Sequence, residues 1–139
     1  PDKVFERVLY FGDAETVPGG TAVLWVEKDG VYVSVSHSGP WAVCVTADAP
    51  VGVDVEVVRS AQEKFMRRVC SEQEMAYIRS GDDGDCQRFW EIWTAKEALF
   101  KLTGKGPLLA LSRFSLPAGV TLDYTAQKGC ALTIAAQIL

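Results

Sequence analysis

Histidine is almost absent: His37 stands alone in 139 residues, so no His-rich metal site can form and a bound cation needs other donors. Cysteine is sparse as well. Cys44, Cys70, Cys86 and Cys130 are irregularly spaced, with no C-x-x-C pair, which points to reduced or structural thiols rather than a disulfide framework or a zinc site. No apolar run reaches the length of a membrane span or a secretory signal, and Pro1 reads as a processed or trimmed start, so a cytoplasmic protein is expected. Blocks of Lys or Arg are missing too. With 14 basic against 18 acidic residues and a net charge of −4, no electrostatic footprint for nucleic acid or anionic lipid is present.

A hydrophobic content of 48% with 23% charged residues is ordinary for a globular chain one domain long. Alternating β-rich runs predict strands over Val4 to Phe11, Thr21 to Glu27, Val31 to His37, Trp41 to Ala47 and Val51 to Val57. Lys28-Asp29-Gly30 and Ser38-Gly39-Pro40 mark tight turns between them. A helical segment over Ala61 to Val69 comes next, then a capping box, Ser71-Glu72-Gln73-Glu74, opening a second short helix. The longest helix is predicted over Gln87 to Thr103, closed by Gly104. Strands over Val120 to Thr125 and Ala131 to Ile138, turning at Lys128-Gly129, complete an α+β chain with antiparallel sheets and segregated helices. We read residues 1–139 as one domain, with 1–50 a strand-rich first half and 51–139 the half that carries the chemistry.

Val-Gly-Val-Asp-Val-Glu-Val, residues 51–57, places two carboxylates in a strand whose valines claim one buried face. Asp54 and Glu56 then project from the other face, about 7 Å apart along the chain. Two like charges so close call for a cation, and hard oxygen donors at this spacing suit Mg²⁺, which leaves positions for substrate phosphate. The long helix adds Lys96, Glu97 and Lys101 to an otherwise apolar circumference. Glu97 and Lys101 share a face, with Trp93 one turn earlier. Either group alone reads as an amphipathic edge or a helix salt pair; together they favour a cation-plus-phosphate site. His37 follows Val31, Val33 and Val35 in period two and fits a core histidine, although its strand-end position beside Gly-Pro favours a site. Lys105 follows a helix rather than opening one, so it reads as a solvated C-cap lysine.

Ser36-His37-Ser38-Gly39, Gly52-Val53-Asp54-Val55-Glu56, Trp93-Thr94-Ala95-Lys96-Glu97-Ala98 with Lys101, and Thr103-Gly104-Lys105-Gly106 resemble, in order and spacing, the Sfp-type 4′-phosphopantetheinyl transferases. These enzymes move phosphopantetheine from coenzyme A to a serine of an acyl or peptidyl carrier protein. The resemblance covers about Val31 to Phe114. It implies the 4′-phosphopantetheinyl transferase-like fold, Asp54, Glu56 and Glu97 as Mg²⁺ ligands, and Ser36, His37, Lys96 and Lys101 as coenzyme A contacts. It also implies Glu97 and Lys101 as the catalytic pair, one as proton acceptor and the other neutralising charge on the departing 3′,5′-ADP. The carrier would dock at Arg59, Lys64, Arg67 and Arg68. This chain departs from the family in its first half, where 36 residues precede His37, read as strands and offer Val17-Pro18-Gly19-Gly20 in place of a Gly-Lys-Pro segment. A reduced first half, a homo-oligomer whose second subunit supplies the missing contacts, and a non-catalytic carrier-binding homologue are the three outcomes, the working enzyme being expected. A Mg²⁺-dependent phosphodiesterase is the remaining alternative, disfavoured by the acidic charge.

Overall fold

The computed structural model describes residues 7–13, 26–28, 30–81 and 86–138. Among these residues seven strands and three α-helices follow in the order β1 (Arg7–Asp13), β2 (Val26–Lys28), β3 (Val31–Ser38), β4 (Trp41–Ala47), β5 (Val51–Val57), α1 (Glu63–Val69), α2 (Glu72–Arg79), α3 (Gln87–Thr103), β6 (Val120–Gln127) and β7 (Cys130–Gln137). They form a four-stranded sheet, β1-β4-β3-β2, and a three-stranded sheet, β5-β7-β6, antiparallel throughout. The fold is α+β with antiparallel sheets, as expected. Residues 1–6 and 14–25, which hold parts of the first two expected strands and the Val17-Pro18-Gly19-Gly20 segment, lie outside the described residues.

Strand alternation sorts the chain into layers. Val51, Val53 and Val55 of β5, Leu132 and Ile134 of β7, and Val43 and Val45 of β4 form one core between the two sheets. On the far side of the smaller sheet, Ala98, Leu99 and Leu102 of α3 pack on Val120 and Ala135. A third cluster joins Met66 of α1, Met75 of α2 and Phe89, Trp90 and Ile92 of α3. Small residues let α3 approach closely. A Cβ at Gly52 would lie 2.3 Å from the Ala98 carbonyl oxygen, so only glycine fits beneath the helix there. At the β6–β7 turn, Lys128 and Gly129 both have positive φ, 54° and 73°, as a two-residue hairpin of this twist requires.

Helix α3 occupies the predicted residues, Gly104 closes it at φ 69°, and the capping box of α2 forms with both reciprocal bonds. The valine face of β3 is not its buried side: Ser34 and Ser36 are buried, Val33 and Val35 are half-buried and His37 is exposed. The reason is that the serine face abuts β5. None of the described helices is long and apolar enough to cross a membrane.

Candidate active site on strand β5 and helix α3

Both faces of β5 are buried, which a half-exposed strand does not require. Gly52, Asp54 and Glu56 form the face turned toward α3, and Asp54 is only 5% exposed. Because β5 pairs with β7 alone among the described strands, its other edge needs partners for outward amides. Ser34, Ser36 and Ser38 of β3 supply them: their Oγ atoms accept from the amides of Val53, Val55 and Val57 at 3.0, 3.1 and 3.0 Å. Lys101 answers the carbonyls of the same seam. Its Nζ donates to Val53 O at 2.8 Å and Val35 O at 3.2 Å, and lies 3.7 Å from Asp54 Oδ1.

Each expected site residue now has a place. Asp54 Oδ1 accepts from Ser36 at 3.0 Å, while its buried Oδ2 has no hydrogen-bond partner among the described residues. Burial raises the Asp54 carboxyl well above the usual range; Lys101 and the Ser36 bond pull it down, and Glu56 and Glu97 push it further up. Glu97 is half-buried on α3. Burial raises its carboxyl, Lys101 opposes that, and Glu56 adds to it. Burial lowers the Lys101 ammonium, against the combined pull of Asp54, Glu97 and Glu56. The three acids and Lys101 thus act on one another through a poorly solvated space.

Glu56 is held by donors of its own. Its Oε1 accepts from Arg59 at 3.2 Å and from Ser38 at 3.4 Å, and its Oε2 from Trp93 Nε1 at 3.2 Å. No group of three or more His, Cys, Asp or Glu side chains among the described residues is gathered closely enough to hold a metal ion. Asp54 and Glu56 each accept from donors of their own, Ser36 for the first and Arg59, Ser38 and Trp93 for the second, while both act on Glu97 or are acted on by it through charge. In kind the donor set fits a divalent cation: hard carboxylate oxygens, a raised Asp54 and a buried Oδ2 that lacks a partner among the described residues.

Two of the expected coenzyme A contacts, Ser36 and Lys96, lie inside the fold. Ser36 is 2% exposed, and its hydroxyl accepts from the Val55 amide and donates to Asp54. Lys96 is fully buried, its Nζ 2.8 Å from Glu74 Oε1 and bonded to the carbonyls of Leu108, Leu109 and Leu111. It ties α2 to the segment after α3. Lys101 is likewise directed at backbone carbonyls rather than outward. His37 is exposed at the end of β3.

Of the expected docking cations, Lys64 and Arg68 are exposed on α1, and Arg67 is paired with Glu63 at 2.7 Å. Arg59 also covers Trp90, 3.9 Å from its ring centre. Sequence reasoning missed Ser34 and Ser38 as partners of β5, and Trp93 as a donor to Glu56. The period-two serines were the available signal. A cavity of about 470 Å³ at the far end of α3, lined by Pro50, Leu102, Thr103, Lys105, Leu111, Pro117 and Gln137, holds none of the site residues.

Comparison with known proteins bears on this arrangement. The chain is 31% identical over 86 residues to 4′-phosphopantetheinyl transferase Sfp of Bacillus subtilis (strain 168), a match covering 61% of this chain and 38% of that protein. It is 37% identical over 86 residues to 4′-phosphopantetheinyl transferase psf-1 of Bacillus pumilus, covering 60% and 36%. To 4′-phosphopantetheinyl transferase gsp of Aneurinibacillus migulanus it is 31% identical over 85 residues, covering 60% and 36%. The match thus spans a little over a third of each relative's length. Residues 50–134, which hold Asp54, Glu56, Glu97 and Lys101, match the model of the 4′-phosphopantetheinyl transferase superfamily, and the chain belongs to that family.

Proposed function

We propose that this chain transfers 4′-phosphopantetheine from coenzyme A to a serine of an apo acyl or peptidyl carrier protein, with Mg²⁺, releasing 3′,5′-ADP. The observation that carries this reading is the shared field of Asp54, Glu56, Glu97 and Lys101 at the β5–α3 contact, within the segment that matches the family. Asp54, Glu56 and Glu97 would hold the cation, which when bound neutralises the coenzyme A diphosphate and the charge growing on its leaving group. The carrier serine oxygen forms a bond to the β-phosphorus as the bond from that phosphorus to the bridging oxygen breaks. The residues mainly position and balance charge, since such a transfer needs little covalent help.

Glu97 is the proton acceptor in this reading. Burial raises its carboxyl, which makes its carboxylate a stronger base toward the serine hydroxyl proton than a solvated one. Lys101 keeps positive charge beside the acids from within the seam. Exposed His37 meets the 3′-phosphate of coenzyme A, and exposed Lys64 and Arg68 face an acidic carrier. A second reading, a non-catalytic carrier-binding homologue, draws on Glu56 being held by Arg59, Ser38 and Trp93.

Incubation with Mg²⁺, coenzyme A and several apo-carriers, followed by mass spectrometry of the carriers, separates the readings. A phosphopantetheine adduct that disappears with Glu97→Gln supports the transferase. Carriers that bind but stay unmodified support the homologue, and hydrolysed coenzyme A beside intact carriers supports a phosphodiesterase.

A further inference from the structure

We propose that the serines of β3 form a ladder along the free edge of β5, and that two of its rungs, Ser36 and Ser38, are positioning residues that aim Asp54 and Glu56 at one divalent cation. This rests on the metal reading above. A strand edge can be satisfied by another strand, but a neighbouring strand presents carbonyls and amides in alternation and leaves no hydroxyl to give. A serine hydroxyl both accepts and donates.

The ladder uses both capacities. The amide of Val55 donates to Ser36 Oγ at 3.1 Å, and that hydroxyl donates to Asp54 Oδ1 at 3.0 Å. The amide of Val57 donates to Ser38 Oγ at 3.0 Å, and Ser38 donates to Glu56 Oε1 at 3.4 Å. Each of these rungs links the backbone of one residue to the carboxylate of the residue before it. An amide that polarises the hydroxyl strengthens the bond the hydroxyl makes. Each serine bonds one carboxylate oxygen; Glu56 Oε1 also accepts from Arg59 and its Oε2 from Trp93, whereas Asp54 Oδ2 is buried with no partner among the described residues.

Ser34 gives the pattern its internal control. It accepts from the Val53 amide at 3.0 Å, yet the residue before Val53 is Gly52, which has no side chain to aim. Among the described residues Ser34 serves the strand edge alone, and Ser36 and Ser38 serve edge and carboxylate together. The polar partners of ligating side chains tune metal affinity strongly in other sites.

The test is calorimetric titration of the full chain with Mn²⁺, standing for Mg²⁺, in the presence of coenzyme A, alongside thermal unfolding in EDTA. Ser36→Ala and Ser38→Ala are expected to weaken Mn²⁺ binding about 10- to 100-fold, Ser38→Thr to restore it, and Ser34→Ala to leave it within about twofold of wild type while still lowering Tm. In EDTA, the Tm shifts of Ser36→Ala and Asp54→Asn combine non-additively, and those of Ser34→Ala and Asp54→Asn add. Equal effects of all three alanines on Mn²⁺ affinity, or additivity in both pairs, overturns the ladder. A wild-type chain that takes up no Mn²⁺ overturns the metal reading instead, and the Tm comparison then decides the hydrogen bonds on their own.

Discussion

Asp54 sits where a carboxylate is expensive. Its burial outweighs the attraction of Lys101, so the folded chain holds the Asp54 proton more tightly than the unfolded chain. Above the unfolded value of about 3.9, each rise in pH therefore removes stability until the raised folded value is passed. In EDTA at pH 7, Asp54→Asn is expected to raise Tm by about 3 °C or more, and the gain should shrink as pH falls toward 4. Calorimetric scans at the two pH values check this; a lower Tm for the variant at pH 7 contradicts it. Gly52→Ala belongs to the same scale. The new Cβ would lie 2.3 Å from Ala98 O and 2.9 Å from the Leu102 nitrogen, both backbone atoms, so urea unfolding should register a loss of about 3 kcal/mol. The acids were legible because Asp-x-Glu in a valine strand and Glu97 with Lys101 on one helix face are local patterns. The inward turn of Ser36 and the burial of Lys96 were not, because their partners lie 18 and 22 residues away in elements whose packing no period reports.

At the scale of elements, Glu74 and Lys96 make the joint between α2 and α3. Glu74 closes the capping box of α2 through Ser71 and faces Lys96 at 2.8 Å, with both side chains almost fully enclosed. Lys96→Met leaves a buried carboxylate without its counter-charge and should cost about 3–5 kcal/mol in denaturant unfolding. Adding Glu74→Gln should recover part of that loss, because the remaining charge is removed. Two additive losses would refute the pairing. Element positions were largely readable: the α3 pattern and its Gly104 cap gave the helix residue for residue. Which face of β3 is buried was not. Alternation assigns valines inward by hydrophobicity, but the edge of β5 needs hydroxyls, and that requirement arises only when two sheets meet.

For the whole molecule, two sheets and one helix place the acids of β5 under α3, beside the exposed face of α1. Lys64 and Arg68 are exposed there, Arg67 beside them is paired with Glu63, and Phe65 is 37% exposed. If an acidic carrier docks on α1, Arg67→Glu with Arg68→Glu should weaken apparent carrier affinity about tenfold or more at low salt, and the effect should fade as ionic strength rises. Unchanged affinity at low salt would remove α1 from the docking surface. The α+β class followed from strands preceding helices. The bonds of Arg59 and Trp93 to Glu56 did not, since they form only in the folded chain. The most direct measurement is Mn²⁺ binding in the presence of coenzyme A, compared between wild type, Asp54→Asn, Glu56→Gln and Glu97→Gln. Saturable uptake by wild type, weakened about tenfold or more in each variant, is the predicted result. Equal uptake by all four proteins would contradict a divalent site built from these carboxylates.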